Sequence, residues 1–150
     1  MKAVIQRVDN ASITIGGKQR SIGKGYLVLV AATHADTLDD ARYLSQKITN
    51  LRVMRDEDGK MNKSLKEVAG ELLVVSQFTL YARTRKGNRP SFVDAAQPGL
   101  ARMLYEELVR RLRETAIPIQ TGDFAAYMRI SLINDGPVTI ILDSREKEGE

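Results

Sequence analysis

The sequence contains no cysteine and no tryptophan, and its only histidine is His34. Without cysteine there is no disulfide, no thiolate nucleophile and no sulfur-ligated metal site. A single histidine excludes a histidine metal cluster, so no metal is expected. A Ser-His-Asp triad would have to use His34, which sits just before a helix start, where an exposed residue or a local cap is the commoner role. No apolar run approaches the ~20 residues that cross a bilayer, and the stretch from Met1 to Arg7 lacks the apolar core of a signal peptide. No membrane partner and a cytoplasmic location are therefore expected. A glycine-rich phosphate loop is missing too, because Gly23-Lys24-Gly25 precedes an apolar strand rather than a helix. Asp and Glu are absent from Leu72 to Val93, yet Arg83, Arg85, Lys86 and Arg89 crowd together there. These four are candidates for phosphate contact, with a solvated basic face as the alternative.

The 150 residues, 43% hydrophobic and 28% charged, suit one soluble domain over 1–150 with a proper core. A net charge of +4 permits a polyanionic partner. Glu146, Glu148 and Glu150 offset the basic stretch elsewhere in the chain.

Alternation from Lys2 to Val8 and again from Ala11 to Ile15 predicts two half-buried strands, and Gly16-Gly17 a turn into a returning strand, Gln19 to Ile22. Tyr26 to Ala32 is apolar without alternation, which marks a strand covered on both faces. Asp36-Thr37 ahead of Leu38-Asp39-Asp40 predicts a capped helix start. Leu38, Ala41, Leu44, Ile48 and Leu51 give that helix one apolar stripe. Leu51 to Arg55 reads as β-like, Asp56 to Gly59 as a turn, and Lys60 to Gly70 as a polar loop. Glu71 to Leu80 reads as a second buried strand. A second helix, Gly99 to Glu114, carries Leu100, Leu104, Leu108 and Leu112, with Glu106–Arg110 and Glu107–Arg111 as outer pairs. Two final strands, Met128 to Ile133 and Val138 to Leu142, flank Asn134-Asp135-Gly136-Pro137, where Asp-Gly predicts a hairpin turn. Pro137 can open a strand but cannot sit inside a ladder, and a trans bond before it is the common case. The fold class is α+β, with two helices packed on a curved sheet.

Elimination leaves Ser76, Gln77 and Thr79, polar groups at the end of a strand whose first half is wholly apolar. They either satisfy neighbouring backbone as the chain leaves the core or belong to a site. Ser-Gln-Phe-Thr-Leu at 76–80 and Asn-Asp-Gly-Pro-Val-Thr at 134–139 together resemble the D-aminoacyl-tRNA deacylase family. The likeness extends through Met1 to Val8, Gly25 to Val30, Lys60-Met61-Asn62, Arg89 to Phe92 and Thr121 to Phe124.

The resemblance implies a compact homodimer with a barrel-like mixed sheet. It implies hydrolysis of the ester joining a D-amino acid, or glycine mischarged on tRNA-Ala, to the terminal adenosine of tRNA, with no cofactor and no DNA partner. In that family the Gly-Pro bond is cis and reaches into the partner's pocket. Gly136 and Pro137 would then reject an L side chain, and Ser76, Gln77, Phe78 and Thr79 would line the floor by the scissile ester. Phe124 would pack near the adenine and Arg7 would support the Gly-Pro segment. The chain departs from the pattern at Ala125 and Ala31, where glycine is usual, and at Tyr127, where a smaller or acidic residue is common. An aminoacyl ester is already activated, so positioning and backbone dipoles suffice where side-chain acids and bases are scarce. A Thr79 nucleophile would need a base that the chain does not obviously supply. Two other readings are a non-catalytic RNA-binding module of the same fold and an editing deacylase for a small L-amino acid.

Overall fold

A computed structural model describes residues 1–146, so Glu148 and Glu150 of the acidic terminus lie outside the described residues. The sheet is built on β1, one strand of 14 residues, Lys2–Ile15. The two strands expected on either side of Asp9 are therefore one. Gly16 and Gly17, both at positive φ, turn the chain into β2 (Lys18–Ile22). After a break at Gly23-Lys24 the chain continues as β3 (Gly25–Ala31). Both β2 and β3 run antiparallel to β1, from Ile15 opposite Lys18 to Lys2 opposite Ala31.

Helix α1 (Leu38–Asn50) begins at Thr37, which forms a reciprocal capping box with Asp40. Such a box satisfies two leading N–H groups at once. Ala41, Leu44 and Ile48 are buried, while Leu38 stays half exposed. The β-like stretch shrinks to β4 (Met54–Arg55), which pairs with β5 (Met61–Lys63). The segment expected as a polar loop thus holds a strand, a 3-10 turn at Lys66–Val68 and the fully buried Leu65.

Strand β6 (Glu71–Ser76) lies parallel to β3, Gly25 opposite Glu71 and Val30 opposite Ser76. Gly25 permits this close approach, since a Cβ there would stand 1.8 Å from the Glu71 carbonyl oxygen. The strand expected to run to Leu80 stops at Ser76, because β3 ends at Ala31 and offers no further partner. Phe78–Tyr81 instead forms a 3-10 turn. Helix α2 (Pro98–Arg113) follows. Glu107 takes both Arg110 and Arg111, Arg110 also reaches Glu114, and Glu106 meets Arg102 at 3.7 Å, so the expected Glu106–Arg110 pair is replaced. A short β7 (Ile119–Thr121) runs parallel to β6.

The expected terminal hairpin is absent. Arg129–Asp143 is one strand, β8, antiparallel to β1 along its whole length. The register slips between Gln6 and Val8 and between Val8 and Asn10, so Asn134-Asp135-Gly136-Pro137 bulges out of a continuous ladder. Asn134 bridges the gap, its Oδ1 accepting from the Val138 N–H at 3.0 Å and its amide donating to Gln6 Oε1. A side chain there replaces the ladder bonds that a bulge forfeits.

The sheet bends until β2 approaches β7, where Arg20 donates to the Thr121 carbonyl at 2.6 Å. Its inner face closes over Val8, Ile13, Leu27, Leu73 and Val75. The outer face, with Ile5, Tyr26, Val28, Leu72 and Val74, is covered by α1 and α2. The result is a nearly closed, barrel-like mixed sheet carrying two helices.

Candidate active site

Because β3 and β6 are parallel, their C-terminal ends meet at one edge of the sheet. The Gln77 N–H makes the last bond of that pairing, to Val30 O at 2.7 Å. The two strand ends, the start of α2 and the segment 124–128 enclose a cavity of about 620 Å³. Ser76, Gln77 and Phe78 line one side of it, Tyr105 and Phe124 another. No acidic or basic side chain lines it.

Phe78 is 53% exposed and meets Phe92 edge-on, centroids 5.1 Å apart at 75°. Thr79 is exposed and stands just outside the lining residues, its hydroxyl accepting from the Gln77 amide. A 3-10 turn leaves its leading N–H groups without partners inside the turn, and here those belong to Phe78 and Thr79. Tyr105 donates its hydroxyl to Val74 O at 2.9 Å. Burial pushes that phenol up to about 12, so it keeps its proton at neutral pH. Phe124 tilts against Tyr105 at 6.1 Å, and the Arg102 guanidinium lies 4.8 Å above the Phe124 ring. Ala125 adopts φ 62, a conformation glycine reaches more easily. Ala31 is a buried part of the wall, and Tyr127 stands at the rim, 86% exposed.

A second group of predicted residues gathers away from this wall. Gly136, Pro137 and Arg7 do not line the cavity of their own chain. The Gly136–Pro137 peptide is cis, with Gly136 at φ 133 and both residues exposed. Arg7 is buried beside them. It donates to Asp135 O at 3.1 Å and to Val53 O at 2.8 Å, and it pairs with the Asp135 carboxylate at 3.2 Å.

The basic stretch forms an exposed loop whose base is pinned by Arg83. That side chain makes two 2.5 Å bonds to Asp94, and its backbone exchanges bonds with Ser91. Arg85, Lys86 and Arg89 are exposed on the loop. His34 donates to Val93 O at 2.6 Å, also at the base, and takes no part in the cavity. Tyr105 and Phe92 were not among the expected site residues. Phe92 carried a signal as the last residue of Arg89-Pro90-Ser91-Phe92, whereas Tyr105, one position past the stripe residue Leu104, carried none.

The sequence profile of D-Tyr-tRNA(Tyr) deacylase matches residues 4–143. The chain belongs to that deacylase family. It is 55% identical over 150 residues to a D-aminoacyl-tRNA deacylase from Thermus aquaticus, covering 99% of each sequence. It is 54% identical over 149 residues to one from Chlorobaculum tepidum, covering 98% of this chain and 99% of that one. Among solved structures, the c-Myc DNA Unwinding Element Binding Protein superposes with a TM-score of 0.89 at 45% identity, over 95% of this chain and 98% of that one. A probable eukaryotic D-amino acid tRNA deacylase shares the fold at a TM-score of 0.80 and 16% identity, over 94% and 97% of the two chains. As a member of the deacylase family this chain is a hydrolase acting on ester bonds. Among the described residues no helix is long and apolar enough to cross a membrane.

Proposed function

We propose that the chain hydrolyses D-aminoacyl-tRNA, and more weakly glycyl-tRNA(Ala), as a homodimer in which Gly136–Pro137 of one protomer screens the pocket of the other. The observation that carries this reading is the cavity at the paired ends of β3 and β6. It holds Ser76, Gln77 and Phe78 but no acidic or basic side chain. An activated ester needs no strong acid or base if donors are already aimed at the developing oxyanion. The leading N–H groups of the 3-10 turn at Phe78 and Thr79 are such donors. Thr79, tied to Gln77, positions the ester and an attacking water, and the neighbouring ribose 2′-hydroxyl assists proton transfer. The terminal adenosine enters beside Phe124, and the exposed Arg85, Lys86 and Arg89 meet the tRNA backbone.

The dimer is supported by the open side of β8, which pairs only with β1 among the described residues. That strand also exposes Ile133, Ile141, Gly136 and Pro137. An open strand edge with exposed apolar residues is a surface that proteins normally cover. Glycine has no side chain for the screen to reject, so cleavage of its ester is expected on the same reading.

Following deacylation of D-Tyr-tRNA and L-Tyr-tRNA side by side tests the reading. Release of tyrosine from the D ester alone is expected. Equal rates on both, or a fully active monomer in sedimentation, would remove the screening role of Gly136–Pro137.

A further inference from the structure

The cavity wall is free of acidic and basic side chains, yet the 3′ end of an RNA brings a phosphate on the 5′ side of its last nucleoside. The cation set against the aromatic end of the cavity is Arg102. Its guanidinium lies 4.8 Å above the Phe124 ring, and its chain neighbour Ala101 is itself part of the wall. Arg110 and Arg111 on the same helix are drawn into bonds of 2.5–2.9 Å with Glu107 and Glu114. Arg102 has only a 3.7 Å contact with Glu106, both side chains more than half exposed, and such a pair contributes little in water.

We propose that Arg102 is a binding residue for the phosphate 5′ of the terminal nucleoside, its guanidinium held over the ring of Phe124, a residue of the cavity wall. This rests on the tRNA reading above and adds a contact to it. A cation–π contact restrains the guanidinium while leaving N–H groups available to a second partner. A planar fork suits phosphate oxygens better than a mobile ammonium does. The contact serves affinity and not chemistry, because the reacting ester lies at the Ser76–Phe78 side.

The test compares D-tyrosyl-adenosine with its 5′-phosphorylated form, for the wild type and for Arg102→Ala, with D-Tyr-tRNA as reference. The wild type is expected to prefer the phosphorylated substrate by about fivefold in kcat/KM, the scale of one exposed charge-assisted contact. Arg102→Ala should lose that preference through a raised KM for the phosphorylated substrate while keeping kcat on it. Arg102→Lys should restore part of the preference. An unchanged preference in Arg102→Ala, or none in a wild type that cleaves D-Tyr-tRNA, would overturn the inference alone. A wild type inactive on D-Tyr-tRNA would overturn the tRNA reading and the inference with it. A melting temperature equal to wild type shows that the surface variant is folded.

Discussion

Replacing Arg7 by Met is the most direct test of how the Asn134–Pro137 bulge is held. Arg7 is 5% exposed and ties three separate parts of the chain, namely β1, Val53 and Asp135. Methionine fills much of the stem's volume but donates nothing. The buried Val53 carbonyl and the partly buried Asp135 carbonyl then lose their donor, and an orphaned buried group costs about 1–3 kcal/mol, a partly buried one less. The Asp135 carboxylate, 30% exposed, rehydrates and adds little. About 3 kcal/mol is the resulting loss, which in a domain of this size lowers the melting temperature by roughly 6–12 °C. Arg7→Lys keeps the charge, but one ammonium cannot span the two carbonyls as the fork does, so it should recover less than half. Thermal and urea unfolding measure the stability, and D-Tyr-tRNA deacylation at a temperature where the variant is folded measures the site. Activity should fall further than the folded fraction, since the freed segment is the one proposed to screen substrate. A melting temperature within about 2 °C of wild type, or full activity in the folded variant, would refute this account of Arg7.

Thr79→Ala should slow deacylation by about tenfold, whereas a substrate with a 2′-deoxy terminal ribose should lose about 10²-fold or more. Trapping an aminoacyl adduct on Thr79 would reverse those roles. Changing Arg85 and Arg89 together to Ala should lower the slope of log affinity for tRNA against log salt by about 1.4–1.8, as read by binding titrations at several salt concentrations. Arg83→Gln should leave that slope unchanged, because its charge is already matched by Asp94. Arg110 and then Arg111 hold the Glu107 carboxyl down at about 2, below its ordinary 4.5. The unfolded chain therefore binds this proton first on acidification. The pair's contribution to stability is full above pH 4.5, falls as pH drops towards 2, and is absent in Glu107→Gln, as urea midpoints across that range will show.

The helices were legible because their signals are local. Thr37 and Asp40 form the cap that their spacing announces, and the Leu104–Leu108–Leu112 stripe is buried. The uninterrupted apolar run of β3 likewise announced burial on both faces. What misled was Asp135-Gly136, whose turn chemistry is the same in a hairpin and in a bulge. Which one forms depends on whether a partner strand is long enough to pair with both flanks, and β1 is. The end of β6 was misplaced for a related reason: Ser76 is the last residue with β3 alongside, a fact about residue 31 and not residue 76. At the site, Ser76, Gln77, Phe78 and Phe124 line one cavity. Arg7 is joined to the bulge through Asp135. Tyr105 escaped notice because its role comes from which face of α2 meets the cavity.

The pairing of Lys2 with Asp143 bears on how the molecule is made. The strand around which the sheet is organised, Lys2–Ile15, is synthesised well before Arg129–Asp143, the strand covering its free side. Until residues 129–143 leave the ribosome, β1 carries an open edge of alternating apolar residues, a surface prone to pairing with other chains. Contacts this distant in sequence also slow the search for the native pairing. The helices and the β3–β6 pair can form earlier. The bulge and its Arg7 anchor belong to the closing event, so the segment carrying Gly136 and Pro137 takes shape only when the domain is otherwise complete.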